Sequence, residues 1–148
     1  MKPRAVFTIV HVDFPGLFTT RLYSLLDMLL ILLLGLDEPM QLALSELFRG
    51  EGYRFAIEQS VAAAEQMVLQ GDIDIVLLPD SLPPVDSEAV VTRLRNITDA
   101  PIIVIGGGEG TSIIKSLLDG ADLYLARPIN HRELLSRIRS LSRRRPDA

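Results

Sequence analysis

An unbroken run of aliphatic side chains from Leu29 to Leu34 constrains this chain more than any other feature. A strand with no polar face must be covered on both sides, which is the situation of an inner strand in a parallel sheet. The apolar stretch from Met28 to Leu36 is too short to cross a bilayer, which takes about 20 such residues. Asp27 stands directly before it and no small-residue cleavage pattern follows, so a signal peptide is not expected either. A helix is predicted immediately behind the strand. Asp37 can cap it, Pro39 suits its first turn, and Met40, Ala43, Leu44, Leu47 and Phe48 fall on one stripe before Gly50 ends it.

The same strand-then-helix pattern recurs four times. Tyr53 to Ile57 predicts a shorter strand, followed by a helix from Val61 to Leu69 that stops at Gly71. Ile73 to Leu78 predicts a third strand, and a helix from Glu88 to Arg95 follows a proline-rich loop, with Val90, Val91 and Leu94 inward. Ile102 to Ile105 is a fourth strand, Thr111 to Leu118 a fourth helix and Asp122 to Leu125 a fifth strand. Asn130 caps a last helix carrying Leu134, Leu135, Ile138 and Leu141, with Glu133 placed as in a capping box. Five β-α units with short connections imply an α/β fold, a doubly wound parallel five-stranded sheet with helices on both faces. Its strand order is expected to be flavodoxin-like, 2-1-3-4-5, and ligand chemistry in such sheets sits at the carboxyl ends of the strands. That singles out Asp37, Glu38, Pro79, Asp80, Gly106 and Arg127.

Composition narrows the function classes. A chain of 148 residues is one domain's worth, and 48% hydrophobic with 23% charged residues is the mix of a folded protein. The net charge of −4 gives no overall basic field for nucleic acid, and this chain is not expected to bind it directly. Without cysteine there is no disulfide, thiolate metal site or cysteine nucleophile. His11 and His131, far apart in the chain, offer little to a metal cage; each reads as an ordinary residue, His131 on the surface of the last helix. A cytoplasmic location is expected.

Four blocks carry a family resemblance: LGLDEP at residues 34 to 39, DIVLLPDSLPPVD at 74 to 86, PIIVIGG at 101 to 107, and GADLYLARP at 120 to 128 followed by HRELLSRIR. In order and spacing, residues 28 to 143 resemble a response-regulator receiver domain of two-component signalling, a fold also named CheY-like. The resemblance implies a nucleophilic aspartate at the end of the third strand, acidic side chains after the first that hold magnesium, a hydroxyl after the fourth and a lysine after the fifth. It places Pro79 at the phosphoacceptor position, Leu36 and Asp37 at the acidic pair, Gly106 at the hydroxyl position and Arg127 at the lysine position. Tyr124 alone matches the family's usual aromatic switch position in full. These departures describe an atypical pseudo-receiver, with no catalytic residue and no cofactor, whose output is independent of phosphorylation.

Asp80 is the displaced fallback. Strand alternation turns it to the other face unless Pro79 bends the chain, and its ordinary reading is a solvated aspartate opening a turn with Ser81. In that alternative, Asp80 accepts the phosphoryl group, Asp37 and Glu38 hold Mg2+, and Arg127 contacts the phosphate. The ordinary reading of Asp37 and Glu38 is a helix cap and its acidic neighbour, with Arg127 paired to Asp37. The Gly106 to Gly110 run lacks the lysine of a phosphate-binding loop and reads as a flexible connection. A third reading has Arg127 and that loop sensing a small anion.

The resemblance extends to the last receiver helix of winged-helix transcriptional regulators, which dimerise through the fourth helix, fifth strand and fifth helix. Lys115, Asp122, Glu133 and Arg137 match charged positions on that face, while Ile113 and Leu123 replace charges. An interface there is expected to be more apolar than the family's. A homodimer through that face, and a histidine kinase or effector domain, are the expected partners. Residues 1 to 27 form an N-terminal extension in which Ala5 to Val12 has strand character and Leu22 to Leu26 helical character, and residues 144 to 148 form a basic tail.

Overall fold

In the computed structural model of the protein, the structure describes residues 10–11 and 29–143. Among the described residues, six strands and five helices follow one another as β1 (Val10–His11), β2 (Leu30–Leu34), α1 (Glu38–Glu51), β3 (Arg54–Glu58), α2 (Val61–Leu69), β4 (Ile75–Pro79), α3 (Val90–Arg95), β5 (Ile102–Gly106), α4 (Gly110–Asp119), β6 (Leu123–Ala126) and α5 (His131–Arg143). The sheet order is β1-β3-β2-β4-β5-β6. Its five parallel strands therefore run 2-1-3-4-5, as the recurring pattern predicts. The sheet has one strand more than expected, because Val10 and His11 pair antiparallel with Ala56 and Phe55 and add a sixth strand at the edge. The rest of the Ala5 to Val12 segment and the helical reading of Leu22 to Leu26 lie outside the described residues.

The central strands are buried along their whole length, and their alternating side chains build two separate cores. Ile31, Leu33, Ile75, Leu77, Ile103 and Ile105 face Leu44 and Phe48 of α1 and Leu134, Leu135 and Ile138 of α5. Leu32, Leu34, Val76, Leu78 and Val104 face Ala64 and Val68 of α2 and Val90, Val91 and Leu94 of α3. Parallel register locks this phase across the sheet: Leu33 pairs with Leu77, Leu77 with Ile103, and Ile105 with Leu125.

Caps and turns set the ends. Asp37 Oδ1 accepts the Met40 N–H at 3.0 Å, the capping role read from sequence. Helix α1 runs past Gly50 and stops at Gly52, whose φ of 77° is the left-handed conformation that glycine adopts freely. Bonds from Gly52 N to Arg49 O and from Tyr53 N to Phe48 O close that end in a Schellman arrangement. Helix α3 begins at Val90, later than Glu88, because Val85 and Glu88 exchange backbone hydrogen bonds around Asp86 and Ser87, both with positive φ. Asn130 Oδ1 accepts the Glu133 N–H at 2.8 Å, as predicted for the start of α5.

Candidate functional site

The carboxyl edge of the sheet holds two distinct constellations, one on each face, and the boundary between them falls between Pro79 and Asp80. Pro79 ends β4 buried, paired with Ile105 and in phase with Ile75 and Leu77. Asp80 follows it in the phase of Val76 and Leu78. Its backbone N–H donates to Ile105 O at 2.9 Å, so proline does not bend the chain away from the sheet. The carboxylate is therefore delivered to the α2–α3 face, as alternation requires.

There it meets Tyr124. The phenol donates to Asp80 Oδ2 at 2.8 Å and accepts the Gly108 N–H at 3.0 Å. Asp80 does open a turn with Ser81, as its ordinary reading has it, but the reading is corrected in one respect: the residue is half-buried and holds a side chain from two strands away. Gly106 makes the contact possible. A Cβ at that position would collide with Asp80 Oδ2 and the Tyr124 hydroxyl, so the space a serine or threonine would fill is occupied by the pair. Burial is the first cause that raises the Tyr124 phenol above its ordinary value of 10.0; the Gly108 N–H lowers it, and the Asp80 carboxylate raises it again. Sequence reasoning found all three residues but not their contact. The signal was their common phase on the strands.

The other constellation is the open depression of about 600 Å³ between α1 and the β6–α5 connection. Asp37, Met40, Arg127, Pro128 and His131 line it, and the Arg127–Pro128 peptide is cis. Asp37 is the single carboxylate in this lining, and it is engaged as the α1 cap. Leu36, at the other acidic position, is buried in the core with 2% exposure. Arg127 and Asp37 do not form the expected ion pair; among the described residues both stand exposed on the rim without a salt bridge between them. Among the described residues no three His, Asp or Glu side chains gather as metal ligands.

The third region is the outer face of α4, β6 and α5. The charges read as interface groups are engaged within the chain. Lys115 pairs with Asp119 at 2.9 Å and Glu133 with Arg137 at 3.8 Å, each one helical turn apart. Asp122 Oδ2 accepts the Ile102 N–H at 2.8 Å and pairs with Arg95 at 3.0 Å, tying β5 and β6 to the end of α3. Leu123 is half-buried against the α1–α5 core. Beside these exposed charges, α4 presents aliphatic side chains to solvent: Ile114, Leu117 and Leu118 are 60, 45 and 82% exposed.

A doubly wound sheet with its chemistry-bearing residues at these strand ends is the architecture of a receiver-type signalling domain. The chain belongs to the response regulator receiver domain family, whose profile matches residues 31–139. It is 36% identical over 113 residues to the transcriptional regulatory protein TcrA of Mycobacterium tuberculosis, an alignment covering 74% of this chain and 45% of TcrA. With the transcriptional regulatory protein CpxR of Escherichia coli it shares 32% identity over 115 residues, covering 77% of this chain and 49% of CpxR. The chain spans about half the length of these curated relatives. A two-component response regulator from Clostridium difficile has the same fold, with a TM-score of 0.72 at 23% identity over 81% of this chain and 100% of the other. Among the described residues no helix is long and apolar enough to cross a membrane.

The Asp80–Tyr124 contact gives a titration with a defined sign. The folded state holds the phenol proton more tightly than the unfolded chain, so this contribution to stability is complete below the ordinary tyrosine range and is lost as pH climbs through the raised value. With ¹³C-labelled tyrosine, the Tyr124 ring is expected to titrate above 10.0, and the charge-removing variant Asp80→Asn is expected to lower its midpoint. An unchanged midpoint in that variant would mean that the carboxylate does not hold Tyr124 in solution.

Proposed function

We propose that this receiver domain works without aspartyl phosphate, as a protein–protein interaction module forming the regulatory part of a cytoplasmic transcriptional regulator. The observation that carries the reading is the face change at the end of β4. Proline, with no carboxylate, stands at the position that the family uses as phosphoacceptor, and the neighbouring Asp80 is bonded to Tyr124 on the opposite face. Asp80 and Arg127 therefore serve different constellations, whereas a phosphoryl group would need both at once. The donor set on the Arg127 side does not fit magnesium, which favours one or two carboxylates together with substrate phosphate oxygens. One aspartate that already caps a helix is a poor start, and Glu38 lies exposed beside it in the first helical turn. In this reading the domain has no catalysis or cofactor of its own.

The Tyr124 tether takes the place of a phosphate-dependent switch. With the phenol held by Asp80 and Gly108, the β5–α4 connection is joined to β4 and β6 by uncharged and charge-assisted bonds that need no second messenger. The naming of TcrA and CpxR as transcriptional regulatory proteins supports placement in transcription control. A histidine kinase remains the sort of partner such relatives suggest, here as a docking partner and not a phosphoryl donor.

The output in this reading is self-association. Ile114, Leu117 and Leu118 form an aliphatic patch whose flanking charges are already paired, so two copies can meet there without stripping water from unpaired ions.

Intact mass after incubation with magnesium and acetyl phosphate tests the first half of the reading. No added phosphoryl group is expected under conditions that label an ordinary receiver. A phosphoryl adduct on the wild type that is lost in Asp80→Asn would overturn it and make Asp80 the acceptor. Sedimentation equilibrium tests the second half: the wild type is expected to dimerise, and Leu118→Glu to weaken association about tenfold or more, roughly 1.4 kcal/mol. A monomeric wild type, or a variant that associates equally well, would remove the patch from the interface.

A further inference from the structure

On the side of Asp80 away from Arg127, α3 and α4 do not close fully over the ends of β4 and β5. They leave a cavity of about 310 Å³. Its floor and one wall are aliphatic: Leu78, Val104, Val90 and Val91, all buried. Its polar groups are few and placed at definite points. Asp80 enters from the sheet end, Ser112 and Ser116 from α4, and Lys115 with Asp119 stand on the same wall.

Two of these polar groups have unused capacity. Asp80 Oδ2 accepts from Tyr124, while Oδ1 accepts no hydrogen bond among the described residues. Ser116 is only 7% exposed, yet among the described residues its hydroxyl is not hydrogen-bonded. Neither atom is sealed off: among the described residues the buried side-chain polar atom without a partner is Arg54 Nε, outside this lining, so Asp80 Oδ1 and the Ser116 hydroxyl stay accessible to a molecule that enters the cavity. An apolar cavity with a few convergent polar groups is the ordinary form of a small-molecule site, and its volume is near the lower bound of the roughly 300–1,000 Å³ such sites span.

We propose that this cavity binds a small amphipathic molecule, an apolar body of about one ring that carries a hydroxyl or ammonium donor directed at Asp80. The charge balance selects a donor over an anion. Lys115 is the one cation in the lining and is spent on Asp119, so Asp80 is left to set the field inside. A carboxylate-bearing molecule of the same shape meets repulsion there; an ammonium or hydroxyl gains a charge-assisted hydrogen bond. The Ser116 hydroxyl supplies a second polar contact on the opposite wall. Occupancy is read out at once by the domain, because the carboxylate that takes the ligand also holds Tyr124, and through it Gly108 at the start of the α4 connection. The proposal stands independently of whether the domain accepts phosphate.

Three probes sharing one ring separate the possibilities: benzylamine, benzyl alcohol and benzoate, titrated into the ¹⁵N-labelled full chain. Benzylamine and benzyl alcohol are expected to give saturable amide shifts at Val104, Gly108 and Ser116, and benzoate none. Asp80→Asn is expected to weaken benzylamine about tenfold and remove its advantage over benzyl alcohol. Ser112→Phe, at a half-exposed position of α4, fills the mouth of the cavity and is expected to abolish binding of both while leaving the rest of the spectrum unchanged. That variant keeps the test open should Asp80→Asn disturb the fold. Non-saturable shifts with benzylamine, equal binding of benzoate, or binding that persists in Ser112→Phe would each overturn the proposal.

Discussion

The two-residue period of the inner strands governs this structure. Because β2, β4 and β5 are buried on both faces, a slip of one residue would carry every side chain into the opposite core, and the sheet's register is fixed accordingly. The same constraint operates at the strand ends, where function resides. It separates Pro79 from Asp80, directs the carboxylate away from Arg127, and brings it to the face where Gly106 and Tyr124 already stand in phase. A proline at the end of a strand is tolerated because the chain is about to leave the sheet; Asp80 N–H still reaches Ile105 O, so the phase is preserved for one residue more.

Gly106, Asp80 and Tyr124 are consequently interdependent. The phenol bridges a carboxylate and a backbone amide only because no side chain grows from Gly106 into that space. Any hydroxyl-bearing residue there would displace one partner or the other. Pro79, Asp80, Gly106 and Tyr124 therefore form one packing solution at the strand ends. Family membership fixes the frame in which that solution is set, while the local contacts decide what the frame can do.

Much of this was legible in the chain. Strands buried on both faces announce themselves as aliphatic runs, and the caps at Asp37 and Asn130 were readable because short polar side chains directly before an amphipathic stretch have a single efficient use. Three features were not. The strand character of Ala5 to Val12 could be read, but not that Val10 and His11 would pair antiparallel with Ala56 and Phe55 at the edge of this sheet, because backbone pairing leaves little trace in side-chain pattern. Helix α1 passes Gly50 and stops at Gly52, since the stop requires a left-handed residue; either glycine could supply one, and only Gly52 does. The charges on the α4–β6–α5 face matched positions that a family uses between molecules, but Asp122 and Lys115 found partners inside this one. Residue type announces a charge; only the fold decides whether it is still available.

The central claim is that the Tyr124 region is set by Asp80 and is insensitive to a phosphoryl group. Amide spectra recorded with and without magnesium and beryllofluoride, a phosphoryl mimic, test it most directly. Superimposable spectra at Asp80, Gly106, Gly108 and Tyr124 are the predicted result. Saturable shifts at those residues, dependent on both reagents, would contradict the account and return the domain to phosphate-driven control.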